Sequence, residues 1–314
     1  MEMERINDAV LIQRFKEDCK IRNLSKHTIE SYMSTLNLFS SFLRIKKKSL
    51  LELDRDILRD YISFLIGDGI NYKTIENRFS TFSSFYDYAV YENLVEKNIV
   101  LDIRKRYLKR YKKNDNNGSK RKLVSIEEMS HFINMIFDIR TKAIAVLFAK
   151  TGIRLRELIA IDIDDINWNL LSIELKPTHK RSNLVVFFDN ECAMVLKRWL
   201  KKRISIVNKN CKALFVSYNT GGRLKRHAIY ESFIRWAEKA GLHNSLSDRI
   251  EEHFTPHCCR HWYTTFLRRG GMPRGYIKEL RGDKRRDAMD IYDHIDGEEL
   301  RKSYLAHIPS LGLD

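Results

Sequence analysis

Through the first hundred residues apolar side chains recur every three or four positions, the spacing of one buried face on a helix. In DAVLIQRFKEDCKIR the pattern is carried by Val10, Leu11, Phe15 and Ile21. LSKHTIESYMSTLNLFSSFL repeats it behind Ser25, whose hydroxyl suits the free N–H groups of a first turn. DRDILRDYISFLIGDG does the same and stops at Gly67 and Gly69. YKTIENRFSTFSSFYDYAVYEN adds a fourth helix, rich in aromatics. The spacing predicts a four-helix domain over residues 1–100, with the aromatics filling its core rather than forming a base-stacking platform.

The pattern then breaks. LDIRKRYLKRYKKNDNNGSKRK, residues 101–122, holds ten basic side chains against two acidic ones, and NDNNGS in its middle disfavours any regular element. It reads as an exposed basic linker, with Arg104, Lys105, Arg106, Lys109, Arg110, Lys112 and Lys113 as candidate contacts to a phosphate backbone.

A second domain is expected over residues 123–314. SIEEMSHFINMIF has the capping-box spacing, Ser125 to Glu128. TKAIAVLFAKTGIRLRELIAID reads as two helices divided at Gly152. LLSIEL and NLVVFF favour strands and, joined by KPTHKRS, make an antiparallel hairpin with a basic turn that includes Arg181. ECAMVLKRWLKKRISIV and HAIYESFIRWAEKAG are amphipathic helices, and the chain after Pro256 is helical in short pieces. The fold class is therefore mostly α with a small antiparallel β-sheet. In the tail GEELRKSYLAHIPSLGLD, Leu300, Tyr304, Leu305 and Ile308 form an amphipathic run that suits either its own domain or a neighbouring subunit.

Composition narrows the function. At roughly 100–200 residues per domain, 314 residues suggest two domains. Lys and Arg number 57 against 41 Asp and Glu, a formal charge of +16, which points to a polyanionic partner. The five cysteines form no CxxC pair, so free thiols in a reducing cytoplasm are expected. MEMERINDAV lacks the basic and apolar regions of a signal peptide, and the apolar run AIAVLFA is too short to span a bilayer.

The densest chemistry lies in TPHCCRHWYTTFLRRGG. His253, His257, Cys258, Cys259 and His261 invite a metal reading, but adjacent residues point in different directions along a helix, and no second Cys/His pair stands at metal spacing. No metal or cofactor is expected, and the two cysteines read as small buried fillers. His257 and Arg260, three apart, share one helical face, and TGIRLREL puts Arg154 just after a glycine break. Two guanidiniums and an imidazole could surround one phosphate, since the planar arginine fork binds two oxygens at once.

These segments resemble the tyrosine recombinases, or phage-type integrases. TGIRLREL looks like the first arginine box of that family, HCCRH like the second, and IKELRGDKRRDAMDIYDHI like the region that carries the nucleophile. The wording of ELRGD, DIYDHID and SYLAHIP is most similar to archaeal integrases. The resemblance covers roughly residues 8–308 and implies a helical core-binding (SAM-like) domain, a linker and a tyrosine-recombinase catalytic domain. It implies a site-specific DNA recombinase acting through a 3′-phosphotyrosyl intermediate, without metal or ATP, as a tetramer on duplex DNA carrying specific sites, in the cytoplasm with the nucleoid. Tyr292 would be the nucleophile, Arg154 and Arg260 the clamp on the non-bridging oxygens, and His257 a hydrogen-bonding or proton-transfer partner. Glu157 would support the site, and His261 would be structural. A hairpin lysine would protonate the leaving 5′-oxygen. Lys176 and Lys180 flank that position, which falls on Thr178 without gaps, and Lys176 at the end of the first strand is favoured.

The chemistry fits the residue types. A tyrosine hydroxyl ionises at about pH 10 and is a weak nucleophile at neutrality, so neighbouring cations must favour its phenolate. The same cations stabilise charge growing on a pentavalent phosphorane. One position departs from the family: Asp283, nine residues before Tyr292, stands where His or Trp is usual. Its carboxylate should repel a phosphate unless it pairs with Arg281, Lys284 or a clamp arginine, or its pKa is raised, and it could accept the tyrosine's hydrogen bond. Asp283 also keeps open a DNA-binding protein that has lost catalysis, and the shared chemistry keeps open an enzyme like the type IB topoisomerases.

Overall fold

A computed structural model describes residues 7–108, 122–178, 181–247, 249–283 and 295–313. Four helices open the chain: α1 (Asp8–Ile21), α2 (Lys26–Ile45), α3 (Arg55–Gly67) and α4 (Tyr72–Tyr91). Each begins at a polar side chain that accepts from a first-turn N–H, namely Asn7, Ser25, Asp54 and Asn71. Their inward faces bring together a core of rings. Phe39 lies 4.8 Å from Tyr61 and 4.4 Å from Phe82, and Phe15 meets Phe85 edge-on at 5.4 Å. These rings are buried, as the helical spacing requires.

The linker expected from residue 101 does not begin there. Val100–Ile103 forms a short helix, α5, which continues as a π-helical turn over Arg104–Leu108. Val100, Ile103 and Leu108 are buried in the same aromatic core. The segment is fastened by Tyr72, whose hydroxyl donates to Tyr107 O at 2.7 Å, and by Arg104, which donates to Ser83 Oγ at 3.0 Å. Three apolar side chains at helical spacing outweigh the surrounding charge: the basic residues face out while the helix stays docked. Arg104 is thus partly spent on the fold, whereas Lys105 and Arg106 are exposed. Lys109, Arg110, Lys112 and Lys113 lie outside the described residues.

Contacts divide the chain into two compact units, Met1–Gly118 and Ser119–Asp314. The second unit is built around α7 (Ile139–Thr151), which follows α6 (Ile126–Met135). Every residue from Ala143 to Ala149 is buried, as befits a helix that is apolar all round. The Ser125–Glu128 capping box starts α6, with both reciprocal bonds made. α8 (Leu155–Ala160) follows the break at Gly152.

A one-turn 3₁₀ helix (Ile163–Asp165) then leads into a three-stranded antiparallel sheet, β1 (Ile166–Asn167), β2 (Ser172–Glu174) and β3 (Val185–Phe187), in the order β1-β2-β3. The expected hairpin is β2–β3, with Ile173 opposite Val186. The two-residue β1, paired through Ile166 and Ile173, is too short to leave a period-two signal. The remaining helices are α9 (Asn190–Arg203), α10 (Arg226–Lys239), α11 (Pro256–Arg269), α12 (Arg274–Arg281) and α13 (Gly297–His307). Among the described residues no helix is long and apolar enough to cross a membrane.

The C-terminal segment packs on its own unit. Leu300 and Tyr304 of α13 are buried, as are Leu311 and Leu313 beyond it. The fully buried Lys150 ammonium contacts Asp189 and Glu191, each at 2.5 Å, and donates to Pro309 O at 2.7 Å. Glu191 in turn accepts from the N–H groups of Leu311, at 2.9 Å, and Leu313, at 3.2 Å. Leu305, in the same amphipathic run, remains exposed.

Candidate active site

Gly152 sets the site's geometry. It ends α7 with φ at +59°, and a Cβ there would overlap the Tyr263 ring. Glycine is therefore needed twice over, for the left-handed turn and for the close approach of α11. The turn leaves Arg154 as the N-cap of α8 in extended backbone. Glu157, one turn on, reaches back: its Oε2 accepts Arg154 N at 2.7 Å while its Oε1 accepts Arg154 Nη1 at 2.8 Å. The carboxylate is buried and fixes both the backbone and the guanidinium of Arg154.

The second arginine arrives on α11. Pro256 occupies its first turn, where a missing N–H costs nothing. Arg260, one turn further, is 5% exposed and donates to Gly152 O at 2.7 Å and Arg281 O at 2.8 Å. Burial, then the neighbouring guanidiniums of Arg154 and Arg281, lower its pKa to about 10, which still leaves it charged at neutrality. His257 and His261 lie on the exposed side of α11 with ring centroids 4.9 Å apart. Cys258 and Cys259 are buried, and Cys258 Sγ donates to His253 O at 3.3 Å. Among the described residues no cluster of three His, Cys, Asp or Glu side chains could hold a metal.

Arg181 corrects an expectation. Read as a basic turn residue that contacts DNA, it has a side chain with no exposed surface. Its Nη1 lies 3.1 Å from Glu157 Oε2, Nη2 donates to Leu280 O at 2.7 Å, and Nε donates to Asn183 O. Burial lowers its pKa. A guanidinium with its donors committed in this way cannot contact a duplex; it forms the floor of the site, joining hairpin, α8 and the end of α12. Sequence alone shows an arginine in a basic turn and conceals the buried carboxylate that draws it inward.

Above that floor stands Asp283. α12 ends at Gly282 with φ at +60°, where a Cβ would collide with the aliphatic chain of Arg181. The next residue turns its carboxylate toward the arginines. Oδ1 is 3.4 Å from Arg260 Nη2 and 3.8 Å from Arg154 Nη2, and Oδ2 is 3.2 Å from Arg281 Nε. Of the pairings weighed for Asp283, those with Arg281 and with both clamp arginines are therefore present. Beneath them the Tyr263 hydroxyl is fully buried, with no hydrogen-bond partner among the described residues, and burial raises its pKa.

Lys176, the favoured leaving-group acid, is held elsewhere: its ammonium contacts Asp165 at 2.6 Å and Asp162 at 3.4 Å. The hydrogen bond to Asp165 raises its pKa. Lys180 and Tyr292 lie outside the described residues.

Known proteins share the sequence pattern and the fold of this chain. The profile of the phage integrase family matches residues 123–299, and that of the integrase N-terminal SAM-like domain matches residues 12–93. The chain is 27% identical over 301 residues to tyrosine recombinase XerD of Rickettsia bellii, covering 91% of this chain and 94% of that one. It is 29% identical over 285 residues to tyrosine recombinase XerC of Psychromonas ingrahamii, covering 90% of each. The fold is shared with the Tn1549 transposon integrase in complex with circular intermediate DNA, at a TM-score of 0.67 and 18% identity, over 93% of this chain and 98% of that one. It is shared as well with a lambda integrase tetramer bound to a Holliday junction, at a TM-score of 0.64 and 16% identity, over 93% and 80%. The first profile alone spans more than half of the sequence, so the chain belongs to the phage integrase family and is a tyrosine-type site-specific DNA recombinase.

Proposed function

We propose that the arginine cluster holds the scissile phosphate of a DNA strand while Tyr292 attacks it. One observation carries the reading: Arg154 and Arg260, from two distant segments, both address a single anionic oxygen, Asp283 Oδ1. A non-bridging phosphate oxygen would be gripped by the same two forks. The fixed donors, set on buried Glu157 and on backbone carbonyls, need no reorganisation as charge builds on the phosphorane.

The phenol oxygen of Tyr292 bonds to phosphorus, its proton leaves to solvent or a nearby base, and the bond to the 5′-oxygen breaks. The products are a 3′-phosphotyrosyl bond and a strand end that takes a proton. His257, on the Arg260 face of α11, is suited to hydrogen-bond the phosphate. Lys176 or Lys180 supplies the leaving-group proton; Lys176 must first leave Asp165 and Asp162. Because the covalent bond conserves phosphodiester energy, the reverse attack by a 5′-hydroxyl rejoins strands without ATP. Duplex DNA with specific sites is the substrate, a tetramer is the working assembly, and the exposed Lys105 and Arg106, with the basic residues after them, lie along the backbone.

Incubation with a nicked duplex that traps the covalent intermediate tests the reading. The wild-type protein should yield an adduct whose modified residue, mapped by mass spectrometry, is Tyr292. Adducts undiminished in Tyr292→Phe would end the proposal, and tight binding with no adduct would favour a protein that binds without cutting.

A further inference from the structure

We propose that Asp283 is a built-in anion that occupies the phosphate position of the arginine cluster and has to be displaced before the phosphate can enter. The inference rests on the recombinase reading and deepens it: the site is self-occupied when no DNA is bound.

Three observations lead there. The first is position. The carboxylate accepts a hydrogen bond from Arg260 at 3.4 Å and pairs by charge with Arg154 at 3.8 Å and Arg281 at 3.2 Å, so its two oxygens lie among three guanidiniums. The second is the charge around it. Four guanidiniums, those of Arg154, Arg181, Arg260 and Arg281, face the carboxylates of Glu157 and Asp283. Glu157 is buried and committed to Arg154 and Arg181. Asp283, with a side chain 35% exposed, is the carboxylate with room to leave.

The third is anchoring. Ser182 N donates to Gly282 O at 3.3 Å, Ser182 Oγ donates to Asp283 O at 2.9 Å, and Asp283 N donates to Lys278 O at 3.2 Å. The backbone on both sides of Gly282 is therefore pinned by the hairpin and by α12. The carboxylate is aimed at the arginines by a hydrogen-bonded main chain, so rotation of its side-chain torsions is the simplest way for it to withdraw. A phosphate then competes with a tethered anion for the same donors. Asp283 acts on the substrate through those arginines and is a positioning residue: it keeps the like-charged forks together without DNA and raises the threshold for a weakly held phosphate.

Sulfate is a suitable probe, being a tetrahedral oxyanion that stays ionised across the working pH range. Its affinity for the full-length protein would be measured by calorimetry for wild type, Asp283→Asn, Asp283→Ala, and Asp283→Asn combined with Arg260→Lys. Removing a partly screened charge from within 4 Å should tighten sulfate binding roughly tenfold in both single variants. The gain should vanish in the double variant, which places it at this cluster. Melting temperatures taken alongside separate the effect from a change in folding. Equal or weaker sulfate affinity in both single variants, or a gain that survives Arg260→Lys, overturns the proposal. If wild type forms the Tyr292 adduct while sulfate affinity is unmoved, only the role of Asp283 fails; without an adduct the recombinase reading fails first.

Discussion

The catalytic unit buries charge on either side of one glycine turn, and the two clusters are balanced differently. Before the turn, the Lys150 ammonium meets two carboxylates and a backbone carbonyl, while Glu191 collects the N–H groups of the C-terminal segment. The second carboxylate charge there is met by backbone N–H groups rather than by another cation, and the cluster works as a rivet. After the turn, guanidiniums outnumber carboxylates, and one of the two carboxylates stands at the rim. Buried charge of the first kind closes on itself. The second kind keeps a surplus of cations beside a carboxylate that is partly exposed, an arrangement suited to an anion. Burial of some members does not distinguish them; the sign of the excess and its exposure do.

If that contrast is right, changes in the two clusters should register on different instruments. The largest effect is expected from Lys150→Ala. It strands Asp189 and Glu191 and releases the segment after α13, so denaturant unfolding should show a loss of about 3–5 kcal/mol. Arg154→Ala should leave stability within about 1 kcal/mol, because its guanidinium is partly exposed. It should instead slow adduct formation on nicked DNA by on the order of 10²–10³. If Arg154→Ala unfolds the protein and Lys150→Ala only slows cleavage, the assignment of roles is inverted.

The rivet should also be acid-sensitive. Burial alone would raise the Glu191 pKa, but the Lys150 ammonium and the N–H groups of Leu311 and Leu313 outweigh it and bring it down to about 2. A folded value below the ordinary glutamate value of about 4.3 contributes stability above that pH, and the contribution fades as pH falls toward 2. Wild type should therefore lose about 2 kcal/mol more than Glu191→Gln between pH 6 and pH 2.5, read from urea midpoints. Parallel curves for the two proteins would remove Glu191 from the rivet. The smallest effect is expected under the arginines. Tyr263→Phe deletes a buried hydroxyl that has no partner among the described residues, so the variant should be unchanged or more stable by up to about 1 kcal/mol. A clear loss would show that the hydroxyl is engaged by a group beyond those residues.

Local chemistry wrote most of the fold legibly. Ser25 and Ser125 mark helix starts because capping is a contact over three residues, and Gly152 marks a stop because its backbone angle is its own. The arginine boxes are legible for the same reason, since residue type and spacing within one turn decide which side chains share a face. What the sequence hid depends on partners far along the chain. Arg181 resembles a surface residue until Glu157 and the carbonyls of α12 are beside it. Leu108 lies in a basic stretch, and only the aromatic core shows that it is buried. The sequence offers Asp283 several partners, and the convergence of three elements decides among them.

The final turn of α12 has a further consequence. Its carbonyls at Leu280 and Arg281 receive hydrogen bonds from Arg181 and Arg260, so two buried guanidiniums moor the end of the helix just before Asp283. Arg260 Nη2 serves twice: it donates to Arg281 O at 2.8 Å and to Asp283 Oδ1 at 3.4 Å. The end of α12 and the carboxylate that follows it are thereby held by the same side chain.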